Sequence, residues 1–259
     1  MGTVSKALSL LTYFNHGKTE IGLSDLTRLS AMNKATVYRL MTELTESGFV
    51  EQAGSDRSYR LGPQVLRLAA LREAAVPILS VSRRVLRDLS DETGETTHLS
   101  LVQGSQLNSL SHAYSPRHAT KVMMEDAEVL TYHGTGSGLA VLAYAAPDFI
   151  TQVLAQPLQT HTAQTETDPD RIRSQIASVQ ACGMAQSIGG FEADVHSHAV
   201  PIFGPDQQPI GALAVAAPVS RMSAEQKQLI PEALYRAGQT LTHRIGGSSP
   251  ASYPQNAPE

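Results

Sequence analysis

Apolar residues in the first 62 positions follow helical spacing three times and then alternate, and this order of patterns allows few folds. The first helical pattern runs from Val4 to Phe14 and is expected to end at His16 and Gly17. Ser24 is the expected N-cap of a second, short helix. The apolar side of the first helix is predicted to contain Val4, Ala7, Leu8, Leu11 and Phe14, and that of the second Leu26 and Leu29.

The third helix has the best-defined ends. Asn33 can cap its N-terminus, and Gly48 can stop it. The residues that follow alternate, and the segment Gly54-Ser55-Asp56 predicts the turn of a small hairpin. Three helices followed by a hairpin is the element order of a winged helix-turn-helix, which we expect over residues 1–62. The inner stripe of the third helix is predicted to consist of Val37, Leu40, Met41 and Leu44.

The outer side of this third helix carries side chains suited to the major groove of DNA. Arg39 matches the acceptors of a guanine edge, and the methyl groups of Ala35 and Thr36 match thymine. Lys34 is suited to a phosphate. The alternative is an ordinary solvated helix face, but the hairpin that follows favours DNA binding. The predicted DNA-binding residues are Lys34, Ala35, Thr36, Tyr38, Arg39 and Thr42, with Arg57 and Arg60 on the hairpin.

The remaining sequence predicts a linker helix, a second domain and a tail. Pro63 can begin a linker helix over residues 63–77, and Pro77 is the expected hinge. Over residues 78–246 strands mix with helices without regular βαβ alternation, which favours an α+β domain. Residues 247–259 are rich in Gly, Ser and Pro and are expected to be disordered. Two later helices are expected to be capped by Asp168 and Ser223.

Composition excludes several classes of protein. The 259 residues, 41% of them hydrophobic, suffice for one large core or two modest ones. The single cysteine, Cys182, cannot form an internal disulfide, which favours a reducing, cytoplasmic location. No apolar run is long enough to span a membrane. The net charge of −4 divides into +2 up to Ala75 and −6 after it, so two modules with different partners are expected.

Eight short motifs, in a fixed order, resemble a known family. Those in the first part are Gly22-Leu-Ser-Asp-Leu, Asn33-Lys-Ala-Thr-Val-Tyr-Arg-Leu, Gly48-Phe-Val and Tyr59-Arg-Leu-Gly. Those in the second are Thr93-Gly-Glu-Thr, Gly138-Leu-Ala-Val-Leu-Ala, Ala199-Val-Pro-Ile-Phe and Ala217-Pro-Val-Ser-Arg. The chain resembles the IclR-type transcriptional regulators. The resemblance implies a GAF-like effector domain, a homodimer or tetramer on a palindromic double-stranded DNA operator, and a small organic effector.

The resemblance also implies where the effector binds. The loop before the small-residue helix is matched by Thr135-Gly-Ser-Gly, whose amides could hold a carboxylate. Family members that bind small oxo acids carry polar residues where this chain has Ala214 and Ala216. Because methyl groups cannot form hydrogen bonds, we expect an aromatic or longer-chain carboxylic acid instead. The predicted effector-binding residues are His133, Gly136, Ser137, Ser187, Ser197, Ala214 and Ala216.

Other interpretations of the second domain stay open. His196 and His198 would point the same way from a strand, as two metal ligands do, although packing is the simpler interpretation. Further donors could come from Glu192, Asp194 or His112. The segment Gly134-Thr-Gly-Ser-Gly resembles a nucleotide loop but lacks a preceding Rossmann strand. The alternative function is an enzyme with an appended DNA-binding module. No nucleophile with an identifiable base is present, so no catalytic residue, metal or cofactor is predicted.

Overall fold

The computed structural model describes residues 2–14, 18–53, 57–75, 78–125 and 127–256. The chain divides into two compact units, Met1–Pro77 and Ile78–Glu259. The predicted helix end at His16 and Gly17, the hairpin turn at Gly54-Ser55-Asp56 and the hinge at Pro77 lie outside the described residues. In the part of the chain that is described, no helix combines the length and the apolar character needed to cross a bilayer.

The first unit contains the elements of a winged helix-turn-helix in the predicted order. Three helices precede a two-stranded antiparallel hairpin, and a further helix follows it. Their bounds are α1 Thr3–Leu11, α2 Leu23–Ser30, α3 Lys34–Glu46, β1 Val50–Ala53, β2 Ser58–Leu61 and α4 Pro63–Ala75.

Helix α3 forms as its sequence predicts. Asn33 is its N-cap, and the Asn33 Oδ1 atom accepts a hydrogen bond of 2.8 Å from the backbone N–H of Thr36. This bond satisfies one of the amides that a helix leaves unpaired in its first turn. The predicted inner stripe is confirmed, because Val37, Leu40, Met41 and Leu44 are the buried residues of α3.

The predicted inner side of α1 is partly wrong. Val4 and Leu8 are 72% and 53% exposed, whereas Leu10, which the prediction omits, is fully buried. The buried side combines Leu10 with the partly buried Ala7, Leu11 and Phe14. Both stripes share Ala7, Leu11 and Phe14 and both obey helical spacing. Helical spacing therefore allowed two orientations, and packing in the unit selects the one that buries Leu10.

The predicted cap of α2 is also displaced. Helix α2 begins at Leu23, and Gly22 rather than Ser24 occupies the N-cap position. Ala31 ends the helix in the left-handed region, with φ of 53°, and so makes the tight turn into α3. This conformation costs a residue with a Cβ atom some strain. Leu26 and Leu29 face inward as predicted.

The second unit is an α+β domain built on one six-stranded antiparallel sheet. The strand order is β5-β4-β3-β8-β7-β6. The strands are β3 Thr96–Gln103, β4 Gln106–Ala113, β5 Val129–Leu130, β6 Ala185–Ile188, β7 Val195–Phe203 and β8 Pro209–Pro218. The helices are α5 Ile78–Thr93, α6 Gly136–Tyr144, α7 Pro147–Leu154, α8 Pro169–Cys182 and α9 Ala224–Arg244. Its specific likeness to GAF domains stays a prediction.

Helices cover both faces of this sheet. Side chains of α5 and α9 pack with Leu99, Val200 and Leu213 on one face. Side chains of α6, α7 and α8 pack with Leu107 and Ala199 on the other. The central strands are therefore buried on both sides, and their sequences are apolar with little alternation, as buried strands are.

The expected disorder of residues 247–259 is wrong for the part that the structure describes. Tyr253 is only 4% exposed and packs against Tyr144, Phe203 and Tyr235 in the core between the sheet and α9. Its hydroxyl donates a hydrogen bond of 3.2 Å to the carbonyl of Gly183. One aromatic side chain therefore anchors a segment whose composition is otherwise typical of disorder. Residues 257–259 lie outside the described part.

The core position of Tyr253 predicts a large loss of stability on truncation. Tyr253→Ala is expected to lower the free energy of unfolding by about 3 kcal/mol or more, because it leaves a cavity between aromatic rings. Tyr253→Phe removes only the hydrogen bond and should cost about 1 kcal/mol. Urea unfolding of the full chain measures both, with the exposed Ser252→Ala as control. A Tyr253→Ala protein as stable as this control would contradict the packing described.

Candidate DNA-binding surface and effector pocket

The outer side of α3 is a free surface of the first unit. Lys34, Ala35, Tyr38 and Arg39 are exposed, and Tyr38 is 57% exposed despite its size. Thr42 is half-buried, and its hydroxyl donates a hydrogen bond of 3.0 Å to the carbonyl of Tyr38. The remaining predicted member of this surface, Thr36, is half-buried in the first turn. The helix thus presents a guanidinium, a phenol and an ammonium outward over an apolar inner side.

The two arginines of the hairpin differ in their surroundings. Arg60 on β2 donates a hydrogen bond of 2.7 Å from Nε to Glu51 Oε1 on β1, directly across the strand pair. Its Nη1 atom also lies 3.9 Å from Glu20 Oε1. Acidic side chains therefore pair with the Arg60 guanidinium, which the sequence analysis assigned to DNA. Exposed ion pairs of this kind are weak. Arg57 is exposed, with φ of 57°.

The second unit contains a pocket at the N-terminus of α6, on the α6 face of the sheet. It encloses about 410 Å³ of atom-free space, some of it open to solvent. Three segments form it: the first turn of α6, the strands beneath that turn, and the loops before β5 and β7. The lining consists of His98, Val122, Met124, Glu128, Leu130, Thr135, Gly136, Ser137, Phe191, Glu192, Val195, Ser197 and Ala216.

The first turn of α6 supplies backbone donors to this pocket. Thr135 is the N-cap, and its Oγ1 atom accepts a hydrogen bond of 2.9 Å from the N–H of Gly138. The carbonyl of Thr135 accepts from the N–H of Leu139. The amides of Gly136 and Ser137 come before the first intrahelical bond, and both residues line the pocket. A negatively charged group is stabilised at such a helix end.

His98 forms part of the pocket lining from strand β3. It is 5% exposed, and its Nε2 atom lies 3.2 Å from the hydroxyl of Ser137 on α6. Burial, together with a smaller effect of the nearby His112, lowers the pKa of His98 to about 4. The ring is therefore neutral at physiological pH. Its Nδ1 atom has no hydrogen-bond partner among the described residues.

Two carboxylates complete the polar lining. Burial raises the pKa of Glu128, and the charges of Glu125 and Glu192 raise it further. Burial also raises the pKa of Glu192, which lies at the exposed edge of the pocket. An upward shift is expected for a carboxylate that loses water without gaining a positive neighbour.

The pocket brings together four of the seven predicted effector-binding residues, namely Gly136, Ser137, Ser197 and Ala216. The other three lie outside its lining. The His133 ring is 2.9 Å from the carbonyl of Gln159, and the Ser187 hydroxyl donates to the carbonyl of Gly134 at 3.0 Å. Ala214 is fully buried in the core under α6. The sequence did not identify Glu128 or Phe191 as pocket residues, because both come from loops that only the fold brings to α6.

His196 and His198 lie on the opposite face of β7 from Ser197. Their rings stack with centroids 4.6 Å apart, and both are almost fully buried. Burial lowers the pKa of His198 to about 4, and the charges of His196 and Lys227 act in the same direction. Among the described residues no group of three His, Cys, Asp or Glu side chains is placed to hold a metal ion. The pair is a packing element between the sheet and α9.

Two sequence profiles match the chain, one for each unit. The profile of the IclR helix-turn-helix domain matches residues 3–54, and that of the C-terminal part of the bacterial transcriptional regulator IclR matches residues 72–243. The chain belongs to the IclR family. The nucleotide-loop interpretation of Gly134-Thr-Gly-Ser-Gly is not supported, because the described residues of this IclR domain form an antiparallel sheet without a Rossmann βαβ unit.

Similar proteins share this organisation over nearly their whole length. A crystal structure of an IclR transcriptional regulator from Silicibacter sp. TM1040 is 74% identical, with a TM-score of 0.95 over 98% of this chain and 100% of that one. An IclR homologue from Microbacterium hydrocarbonoxydans, complexed with 4-hydroxybenzoate, is 25% identical, with a TM-score of 0.78 over 94% of this chain and 100% of that one. The regulator XynR of Escherichia coli is 25% identical over 94% of this chain and 97% of its own length. This IclR-family chain is a DNA-binding transcriptional regulator with a helix-turn-helix domain, and the curated relatives are named regulators and repressors, not enzymes.

The neutral histidines predict a loss of stability in mild acid. Because the pKa of His98 falls from 6.5 to about 4 on folding, the unfolded chain binds more protons than the folded chain between these values. The free energy of unfolding should therefore fall, as pH drops below 6.5, by up to about 1.4 kcal/mol per pH unit for each such histidine. His98→Asn should reduce the slope of the free energy of unfolding against pH by the contribution of one histidine.

Urea unfolding of the wild type and of His98→Asn at about pH 7.5, 6 and 5 measures the difference in slope. The exposed His243→Asn is the matched control and should follow the wild type. Parallel pH profiles for the wild type and His98→Asn would show that His98 is not held neutral by folding.

Proposed function

We propose that this regulator reads an operator sequence with the outward side of α3 lying in the major groove. Arg39 contacts a guanine edge, Ala35 and the Thr36 methyl group contact thymine, and Thr42 contacts a base of either class. Support comes from the outward exposure of Arg39 and Ala35 over a buried inner stripe. The Thr42 hydroxyl donates to its own helix backbone, so its acceptor lone pairs and its methyl group remain for the base.

Phosphate contacts orient the helix on the operator. In this proposal Lys34 and Tyr38 bind the backbone beside the groove, and Arg57 binds it from the hairpin. Arg60 contributes only by exchanging its carboxylate partner Glu51 for a phosphate. Since the bond between Arg60 and Glu51 is exposed, such an exchange costs little.

The proposal includes a homodimer or tetramer on a palindromic operator. A symmetric pair of recognition helices needs half-sites one or more helical turns apart, about 34 Å per turn. Exposed apolar side chains in the first unit support self-association. Monomers seldom expose such groups in clusters, and a second copy could cover them. They are Val4 and Leu8 on α1 and Leu66, Leu68 and Leu71 on α4.

The pocket at the N-terminus of α6 is the proposed effector site. The observation that supports this assignment is that a helix N-terminus and apolar side chains line the same pocket. A carboxylate in this pocket would accept hydrogen bonds from the amides of Gly136 and Ser137 and from the hydroxyl of Ser197. Val122, Leu130, Phe191 and Ala216 offer apolar contact to the rest of the ligand, which favours an aromatic or longer-chain acid. The similar protein from Microbacterium hydrocarbonoxydans holds 4-hydroxybenzoate, which has this chemistry.

In the proposed mechanism the effector shifts a population of conformations. The regions involved are the DNA-binding domain (residues 1–62), the linker helix (residues 63–77) and the effector domain (residues 78–246). A ligand that prefers one arrangement of the effector domain changes the orientation of the linker helix. The linker helix in turn changes the spacing of two DNA-binding domains. Operator affinity changes because the half-site spacing is fixed by the DNA. Since the target is DNA, the proposal locates the protein in the cytoplasm.

Removal of the Arg39 side chain tests the operator-reading role. Arg39→Ala should cost about 1–3 kcal/mol of discrimination between an operator, selected from a random duplex pool, and a scrambled duplex. Fluorescence anisotropy at one fixed salt concentration measures both affinities. Arg173→Ala removes the same charge from the exposed side of α8 and should leave the ratio unchanged. Unaltered discrimination by Arg39→Ala would remove Arg39 from this role.

Filling the pocket tests the effector site. Ala216→Met extends a buried methyl group into the pocket and should weaken the binding of aromatic carboxylic acids by at least about ten-fold. Thermal stabilisation measures this effect, since a ligand at about 100 times its Kd adds about 2.7 kcal/mol to the free energy of unfolding. The exposed Ala177→Met on α8 is the control. Equal stabilisation of both variants would place the ligand elsewhere.

A further inference from the structure

The acidic part of the pocket has no counter-charge. Glu128 and Glu192 both line it, and no described residue forms a hydrogen bond or salt bridge with either carboxylate. The same cavity is therefore lined by two carboxyl groups, and burial, followed by the charges of Glu125 and Glu192, raises the pKa of Glu128. A pair of like charges near one cavity is unfavourable unless something positive enters it.

The lining offers no positive charge to balance them. Neither Lys nor Arg is among the residues that line the pocket in the described chain, and its histidine, His98, is neutral. The Nδ1 atom of His98, a side chain more than nine-tenths buried, also lacks a partner among the described residues. One lining residue thus carries a buried polar atom without a partner among the described residues, and such atoms are rare unless a ligand or water meets them.

The two kinds of polar group in this pocket favour ligands of opposite charge. The amides of Gly136 and Ser137 at the end of α6 stabilise an anion, while Glu128 and Glu192 repel one. A simple acid satisfies the helix end only. A molecule with a carboxylate at one end and a cation at the other satisfies both.

We propose that the effector is a small zwitterion, whose carboxylate binds the α6 amides and whose ammonium group lies between Glu128 and Glu192. This inference rests on the effector site proposed above and names the chemical class that the site selects. An ammonium group is preferred to a hydroxyl, because a hydroxyl donates one hydrogen bond and leaves both negative charges uncompensated. Amino acids with a separated amine are members of this class.

Three benzoates of nearly equal shape test the proposal on the full-length protein. They are 4-(aminomethyl)benzoate, 4-(hydroxymethyl)benzoate and 4-ethylbenzoate, which differ only in the group that would meet the glutamates. Titration calorimetry at neutral pH should give the aminomethyl compound a Kd at least about ten-fold lower than that of the ethyl compound. The aliphatic trio 5-aminopentanoate, 5-hydroxypentanoate and hexanoate repeats the comparison with a narrower molecule.

Charge-removing variants identify the glutamates responsible. Glu128→Gln and Glu192→Gln keep the size of each side chain, and the double variant should lose the preference for the ammonium compound while binding 4-ethylbenzoate at least as well as the wild type. Glu125→Gln changes the same loop at an exposed position outside the lining and is the matched control. Thermal melting without ligand checks that each variant is folded.

The outcomes separate the two proposals. If the acids bind but the ammonium and ethyl compounds bind equally, or if the hydroxyl compound binds as tightly as the ammonium compound, the zwitterion proposal is overturned and the carboxylate site stands. If the glutamine variants keep the ammonium preference, the glutamates do not provide it, and the proposal again fails. Binding by no compound of either trio overturns the effector site and the zwitterion proposal together.

Discussion

The close approach of α6 to the sheet determines where a pocket can form in the second unit. Gly138 lies so near the preceding loop that a Cβ atom there would be 2.4 Å from the carbonyl oxygen of Tyr132. At Gly136 it would be 3.0 Å from the Ser197 hydroxyl on β7. Ala199, Ala212 and Ala214 on the strands below are equally small and fully buried. Small residues on both surfaces therefore bring the positive end of the helix directly over polar strand residues, and the pocket forms in the space that remains beside it.

This geometry gives Ala214 a different role from the one that the family resemblance implied. A serine at this position would have to place a hydroxyl in a tightly packed interface between α6 and β8, where an unpaired polar group is costly. Two residues further along the same face, Ala216 lies past the end of that interface and lines the pocket. Position along one face of the strand therefore separates a packing residue from a pocket-lining residue, although the sequence presents them as equivalent.

The sequence predicted best where one local signal decided the outcome. Asn33, Asp168 and Ser223 all cap helices with their side chains, and the inner stripe of α3 has no competing alternative. Prediction failed on α1, where two inner sides fit helical spacing equally well and packing selected one of them. It failed again at Tyr253, where burial of one ring in a distant core orders a segment whose composition is typical of disorder. In the proposed effector pocket the helix end is a local motif that the sequence displays, whereas Glu128 and Glu192 reach the same pocket only through the folding of two loops.

A partly buried ion pair joins two of the motifs that carry the family resemblance. Glu95, from the motif Thr93-Gly-Glu-Thr, accepts hydrogen bonds of 2.7 and 2.5 Å from Arg221, from the motif Ala217-Pro-Val-Ser-Arg. The Glu95 side chain is almost fully buried, so losing either partner would leave an uncompensated charge. The pair joins the start of β3 to the end of β8, which are neighbours in the sheet.

The position of Tyr253 also has a consequence for how the protein is made. Tyr253 is synthesised after every other member of the aromatic core in which it is buried. Domains generally fold in order as a chain leaves the ribosome. The helix-turn-helix unit can therefore complete its core during translation. The core of the second unit stays partly uncovered until Tyr253 has been synthesised.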